Sequence, residues 1–438
     1  MSGVLLCMIS KGNSQNGFFL PANLQKDHIR FELINNLVVI PIELNGTKLT
    51  FILDTGVKST IVFSLSKEDS IQLNNARSIK LRGLGEGGSI TALKSDNNTL
   101  RIGNARDINH TVYVIFDETF NLSKKMGVPI HGIIGYDLFK NFIVKTNYNS
   151  KRISLFNHQS YKQKSCKKKC QEFNLKIKDN KPYIDVNVLT NGKSEVVTLL
   201  IDSGSSDAFW LFDEERFLDQ NSKNYFNDYL GQGLSGGIFG KRSKLDKVEI
   251  GDFHMNNVKV AYPDKLSLEN VKIFEDRDGS VGGEILRRFT TIIDYSSKKI
   301  ILKKNSKFND SFYYNMSGLT IEHDGVVLVK DKQDMIGATI SANRTNNNDL
   351  VNIPLSTVYN FYLAPRFVVS EIRENSPAAL AGIKKGDEIL HVNGKPTYRY
   401  KLHELISLFT SHEGKKISMV VETNGRVSKR KFTLKKVF

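Results

Sequence analysis

Two short stretches decide how this sequence is interpreted: F-I-L-D-T-G at Phe51–Gly56 and L-L-I-D-S-G at Leu199–Gly204. Each is an apolar run, typical of a buried strand, that ends at Asp-Thr/Ser-Gly. A chain of this length and average composition is expected to contain about 0.2 such tripeptides by chance. Two carboxylates that are brought close together share one proton. Asp54 and Asp202 are therefore the first candidates for residues that carry out chemistry.

The similarity extends beyond the tripeptides as an internal repeat. Asp54 and Asp202 are 148 residues apart. Two further pairs of segments keep an offset of 148 or 147 residues: L-R-I-G and V-E-I-G at 100–103 and 248–251, and G-I-I-G-Y-D-L-F-K-N-F and G-S-V-G-G-E-I-L-R-R-F at 132–142 and 279–289. This spacing indicates two copies of one folding unit, roughly Phe31–Phe156 and Phe173–Lys303.

Each copy has the pattern of a β-rich unit. Short segments rich in Val, Ile and Phe alternate with turns that contain Asn, Gly and Asp. One short helix per copy is predicted, at Asp137–Phe142 and Glu284–Phe289. The predicted fold class is mainly β, with two β-barrel lobes from the duplication and a different domain after them.

The composition of the chain limits the classes of protein to which it can belong. The chain has 438 residues, of which 40% are apolar, and no run long enough for a transmembrane helix. Its net charge is +16, partly from five lysines in Lys162–Lys169. We interpret these lysines as a solvated linker, and contact with an anionic surface is the alternative. Basic residues interleaved with aromatic ones are not evident, so no nucleic-acid partner is predicted.

The cysteines do not predict a metal site. Cys166 and Cys170 flank three lysines, and no His/Cys cluster stands near them. We interpret them as two free thiols, with a local disulfide as the alternative. The segment Met1–Ser10 is a poor secretion signal, because its apolar stretch is short and lacks a positive head.

The paired aspartates have the properties that amide hydrolysis requires. One ionised carboxylate deprotonates a water, and its protonated partner polarises the scissile carbonyl and then protonates the leaving nitrogen, without a cofactor or metal. Gly56 and Gly204 permit the tight turns that present the carboxylates. The hydroxyls of Thr55 and Ser203 are expected to hold the two strand ends in register.

On these residues the chain resembles the bilobal aspartic peptidases, of the bacterial type with retropepsin-like lobes. The resemblance implies that Asp54 and Asp202 are the catalytic pair, and that Thr55 and Ser203 hydrogen-bond across the lobe interface. It also implies an apolar-apolar-Gly segment behind each catalytic loop, at Ile133–Gly135 and, with Ser280 in an apolar place, at Ser280–Gly282. A polypeptide substrate and an extracytoplasmic location are further implications.

The same family folds hairpin flaps over its substrate. Glycine-rich segments at Arg82–Ser89 and Gly231–Gly240 are the candidates, and an ordinary Gly-rich hairpin is the alternative. The glycines singled out are Gly83, Gly85, Gly87, Gly88, Gly233, Gly236 and Gly237. No Tyr lies between Asp54 and Tyr113, so the first flap resembles the retropepsin kind.

The residues after the two motifs differ. Ser205 follows D-S-G and Val57 follows D-T-G. A neighbouring hydroxyl stabilises an ionised carboxylate and a valine does not. This asymmetry predicts a pH optimum less acidic than that of pepsin-type enzymes, with acid and base roles divided between the aspartates.

The C-terminal region resembles PDZ domains through S-P-A-A-L-A-G-I-K-K-G-D-E-I-L-H-V-N-G at Ser376–Gly394. Ser376-Pro377 predicts a helix start, Asn393-Gly394 a hairpin, and Lys401–Phe409 an amphipathic helix. Leu319–Lys330 is predicted to form a hairpin. The resemblance implies that a peptide or C-terminus binds as an added strand, and docking onto the peptidase is the alternative. The groove residues predicted are Phe367, Val368, Val369, Leu402 and Leu405.

The predicted organisation is an N-terminal segment (1–27), a first peptidase lobe (28–158), a basic linker (159–170), a second lobe (171–308) and a PDZ domain with a preceding insertion (309–438). The predicted function is that of an aspartic endopeptidase with PDZ-mediated docking. A non-catalytic peptide-binding protein is the main alternative, and a basic nucleic-acid or membrane-surface protein is a weaker one. The oligomeric state is not predicted.

Overall fold

The computed structural model describes residues 17–63, 65, 70–81, 89–116, 121–163, 165, 169–219, 224–269, 276–333 and 358–437. The fold is mainly β, as predicted, and the chain divides into two compact units: Met1–Met316 with Lys436–Phe438, and Ser317–Lys435. Among the described residues, no helix is long and apolar enough to cross a membrane.

The described residues of the first lobe form eleven strands and two short helices: β1 (Lys26–Arg30), β2 (Glu32–Ile34), β3 (Leu37–Leu44), β4 (Thr47–Leu53), β5 (Thr60–Val62), β6 (Arg77–Leu81), β7 (Ile90–Ile102), β8 (Ala105–Ile115), α1 (Leu122–Met126), β9 (Gly132–Ile134), α2 (Tyr136–Phe139), β10 (Ile143–Asn147) and β11 (Arg152–Phe156). Eight of the strands form one sheet in the order β2-β3-β4-β9-β5-β8-β7-β6.

The second lobe repeats this arrangement with β12 (Cys170–Asn174), β13 (Lys176–Lys178), β14 (Lys181–Thr190), β15 (Lys193–Ile201), β16 (Phe209–Leu211), α3 (Glu214–Phe217), β17 (Phe226–Gly233), β18 (Gly236–Ile250), β19 (Phe253–Pro263), α4 (Lys265–Leu268), β20 (Gly279–Val281), α5 (Gly283–Leu286), β21 (Phe289–Asp294) and β22 (Lys299–Lys304). Its sheet order, β13-β14-β15-β20-β16-β19-β18-β17, matches that of the first lobe strand for strand. The predicted duplication is therefore visible in the topology, and α2 and α5 overlap the two predicted helices.

A third sheet joins the two lobes. Its strand order is β1-β11-β10-β21-β22-β12, and β10 pairs with β21 from Val144↔Ile293 to Asn147↔Thr290. One hydrophobic cluster contains buried residues of both lobes, including Val144 and Ile293. Cys170, the first residue of β12, is disulfide-bonded, so its interpretation as a free thiol is wrong; Cys166 lies outside the described residues.

The second unit consists of β23 (Leu319–Gln333), β24 (Val358–Ile372), α6 (Pro377–Leu380), β25 (Glu388–Val392), β26 (Lys395–Pro396), a 3₁₀ helix (Thr397–Arg399), α7 (Leu402–Phe409), β27 (Lys416–Thr423) and β28 (Arg426–Thr433). Its sheet has the order β23-β24-β25-β27-β28, and β26 pairs with β25. The helix start, the Asn393-Gly394 turn and the amphipathic helix all lie where the sequence predicts them.

The hairpin predicted at Leu319–Lys330 is wrong. The segment is part of one long strand, β23, which pairs with β24 on both sides of an irregularity between His323 and Val326. Gly325 has a φ of 77° there, which lets the strand bulge instead of reversing. Arg366 stabilises the bulge through its Nε, which donates to the Asp324 carbonyl at 2.7 Å.

Candidate active site

Each aspartate motif lies at the end of a strand that a parallel strand supports. In the first lobe β4 runs parallel to β9, and the Asp54 N–H donates to the Ile134 carbonyl at 2.8 Å. In the second lobe β15 runs parallel to β20, and the Asp202 N–H donates to the Val281 carbonyl at 2.9 Å. The two apolar-Gly segments thus lie directly behind the two aspartate loops.

Hydrogen bonds lock the two loops to each other across the lobe interface. The Thr55 N–H donates to Ser203 Oγ at 3.0 Å, and the Ser203 N–H donates to Thr55 Oγ1 at 3.0 Å. The hydroxyls donate onward: Thr55 Oγ1 to the Ile201 carbonyl at 2.6 Å, and Ser203 Oγ to the Leu53 carbonyl at 2.8 Å. These are the cross-lobe contacts that the resemblance implies. Because they are buried and reciprocal, they fix how the two carboxylates face each other.

The structure brings the carboxyl groups of Asp54 and Asp202 together: a Cβ atom on Gly56 would lie 3.1 Å from Asp54 Oδ1 and 3.0 Å from Asp202 Oδ1. The N–H of Gly56 donates to Asp54 Oδ1 at 2.6 Å, and the N–H of Gly204 donates to Asp202 Oδ1 at 3.1 Å. The Asp54 side chain also lies against the backbone of Gly204, so close that a Cβ atom there would be 2.2 Å from Asp54 Oδ2.

The two carboxyl groups are electrostatically unequal. Burial raises the pKa of Asp54, and the negative charge of Asp202 raises it further. Burial also raises the pKa of Asp202, but the positive charges of Arg277 and Lys181 oppose that rise. Because these two positive charges favour the ionised form of Asp202, a proton shared by the pair is favoured on Asp54.

This asymmetry has a different origin from the one that the sequence suggested. Among the described contacts, the Ser205 hydroxyl makes no hydrogen bond to Asp202; its backbone N–H donates to the Asp202 carbonyl at 3.3 Å within the turn. The ionised state of Asp202 is supported by Lys181 and Arg277, which the sequence analysis did not single out. Lys181 could have been found by aligning the two copies of the repeat. Arg277 could not, because it lies in a part of the repeat where the copies do not align.

The structure describes the second flap candidate but not the glycines of the first. Gly83, Gly85, Gly87 and Gly88 lie outside the described residues, between the paired strands β6 and β7. In the second lobe, β17 and β18 form a hairpin with Gly233 opposite Gly236 at its tip and Gly237 opposite Gln232. Leu234 at this tip packs against a hydrophobic cluster of the first lobe. Tyr229 of the hairpin accepts a hydrogen bond from Lys125 Nζ at 3.0 Å.

In the second unit, the structure corrects the position of the predicted peptide groove. Phe367, Val369, Leu402 and Leu405 are at most 1% exposed, so their side chains belong to the core. Val368 lies on β24, which pairs with β23 on one side and with β25 on the other. A peptide strand cannot be added at Val368, because this residue is already paired with Glu322 on one side and with Glu388 on the other. The strand that α7 contacts is β23, at the edge of the sheet.

Comparison with known protein families agrees with this geometry. The family model described as "Aspartyl protease" matches residues 40–138, which include Asp54, and the model described as "PDZ domain" matches residues 368–423. No curated protein matches the chain. The match to the first lobe does not include Asp202, whose equivalence to Asp54 follows from the identical strand order of the lobes. The first lobe thus matches an aspartyl protease family and the C-terminal unit matches a PDZ domain.

Proposed function

We propose that the protein is an aspartic-type endopeptidase that hydrolyses peptide bonds through a water activated by Asp54 and Asp202. The observation that carries the proposal is the juxtaposition of these two carboxyls, one from each lobe, in a site where burial raises the pKa of both. A protein that only binds peptides has no need for two carboxylates in such costly surroundings.

The unequal pair assigns a role to each carboxyl. Ionised Asp202 accepts a proton from the water that attacks the scissile carbonyl carbon. Protonated Asp54 donates to the carbonyl oxygen as negative charge develops there, which stabilises the tetrahedral intermediate. When the C–N bond breaks, a proton from the pair goes to the leaving nitrogen. The hydrogen bonds of Thr55 and Ser203 hold both carboxyls in place during these steps.

Substitution of each aspartate tests the proposal. Asp54→Asn and Asp202→Asn should each reduce kcat on a mixed peptide library by about 10²–10⁴-fold, the usual contribution of a general acid or base. Asp246→Asn is the matched control, because Asp246 is an exposed carboxylate in β18. If the wild type and both motif variants cleave the library equally, the enzyme proposal fails. If the wild type binds peptides but cleaves none, the non-catalytic alternative is correct.

We further propose that the PDZ domain binds a peptide as an added strand on β23, beside α7. Within the described part of this sheet, β23 has a partner on one side only, and strand addition requires such an edge. Hydrogen exchange measured with and without a library of C-terminal peptides should show slower exchange in β23 and α7, and unchanged exchange in β24. Protection confined to β28, at the opposite edge, would place the site elsewhere.

A further inference from the structure

Two cations lie beside the aspartate pair in the second lobe. Lys181 is the first residue of β14 and Arg277 comes two residues before β20; both side chains are half-buried. Each interacts electrostatically with Asp202, and the two repel each other. Burial lowers the pKa of both groups.

Neither cation is neutralised by a close partner. In the described part of the chain, no carboxylate lies within ion-pair distance of Lys181 or Arg277. Arg277 uses Nε to donate to the Gly279 carbonyl at 2.9 Å and stacks 4.8 Å from the centre of the Phe212 ring, which orients its terminal nitrogens. By contrast, Arg242 in the same lobe is paired with Asp207 at 2.8 Å and with Asp228 at 2.7 Å.

The repeat shows that Lys181 is peculiar to the second lobe. Val39 pairs with Ile52 and Tyr183 pairs with Leu200, and both partners stand two residues before their aspartate. Two residues before Val39 is Leu37, which is buried; two residues before Tyr183 is Lys181. The first lobe therefore packs an apolar side chain at the position where the second lobe places a positive charge.

We propose that Lys181 and Arg277 form a subsite that binds a carboxylate of the peptide substrate beside Asp202. Two positive charges face a pair of carboxyls that carries one negative charge, and Asp179, which also attracts Lys181, is paired with Lys58 at 3.1 Å, so one positive charge remains for a ligand. An acidic side chain or the C-terminal carboxylate of a peptide supplies the matching charge, and a guanidinium binds it in a bidentate manner. The inference rests on the proposed function, because it assumes that the cleft receives a peptide.

A binding experiment tests this subsite without relying on catalysis. The Asp54→Asn chain is titrated with fluorescein-labelled peptides in matched pairs, Glu against Gln at each position and a free against an amidated C-terminus. At one position, or at the free C-terminus, the charged peptide should have a Kd at least about tenfold lower than its neutral partner. The pair that shows the difference identifies the source of the carboxylate.

Variants of the cations complete the test. Lys181→Met and Arg277→Met should abolish the preference for the charged peptide, whereas Lys181→Arg should retain it. Lys178→Met is the matched control, because Lys178 is exposed and stands opposite Lys181 in the β13–β14 hairpin. Thermal unfolding of each variant verifies that it is folded.

Two results would overturn the inference. One is equal affinity for every charged and neutral pair. The other is a loss of affinity or activity in Lys181→Met that is the same for all peptides, which would mean that the cations act only on Asp202. Failure of the proposed function is recognised separately, since wild type would then cleave no peptide in an Asp54-dependent manner while the binding preference could still be measured.

Discussion

At the scale of single residues, the two motif glycines are not interchangeable. A Cβ atom at Gly204 would lie 2.2 Å from Asp54 Oδ2, whereas one at Gly56 would lie 3.0 Å from Asp202 Oδ1. Gly204→Ala must displace the Asp54 carboxyl from the pair, and Gly56→Ala requires a shift of only a few tenths of an ångström.

We therefore expect Gly204→Ala to lower kcat by about 10²-fold, because a small misplacement of a catalytic group has an effect of that size. Gly56→Ala is the matched control and should retain more activity. Steady-state kinetics of the two variants test this. Equal loss in both, or greater loss in Gly56→Ala, would show that the contact at Gly204 does not position Asp54.

At the scale of elements, the first lobe contains a buried polar network that has no equivalent among the described residues of the second lobe. His110 Nδ1 lies 2.8 Å from Asp107 Oδ2, and His110 Nε2 lies 2.8 Å from Thr60 Oγ1. This network joins β8 to β5, which lies beside the strand behind the Asp54 loop. The residues in the corresponding strand positions of the second lobe are apolar: Phe209, Met255 and Val258.

The comparison between lobes predicts how this network responds to substitution. His110→Val leaves the Asp107 carboxylate buried without its partner, which should lower the free energy of unfolding by about 3 kcal/mol. The double variant Asp107→Met/His110→Val reproduces the second-lobe residues and should be less destabilised, since no charge is left unpaired. Denaturant unfolding of the single and the double variant measures this difference in stability. A double variant less stable than the single one would contradict this account.

At the scale of the whole molecule, the proposed activity depends on a proton shared between two lobes. In that mechanism one carboxyl is protonated and the other is ionised. Because the pKa of each is raised, both the acid and the base limits of activity move to higher pH than for isolated carboxyls. We expect a pH optimum less acidic than that of pepsin-type enzymes, tested by a pH–rate profile. A maximum below about pH 3, where free carboxyls are mostly protonated, would contradict this.

The repeat made most of the fold predictable. A constant offset between two motifs implies equivalent strands, and the structure has them in the same order in both lobes. Register and edges were less predictable: Leu319–Lys330 has turn-forming Asp324 and Gly325, yet long pairing with β24 keeps it extended. The position of Arg277 near Asp202 was not predictable, because it is set by tertiary folding, for which a single sequence contains no signal.

Both lobes belong to one chain, and the pairing of β10 with β21 joins them. Because the two lobes differ in sequence, the site between them has a direction. Two identical subunits would present identical halves, and a peptide could enter in either of two equivalent orientations. Here Leu37 in one half corresponds to Lys181 in the other. The two halves of the site are therefore chemically distinct, and we expect the protein itself to select the amino-to-carboxyl polarity of a bound peptide.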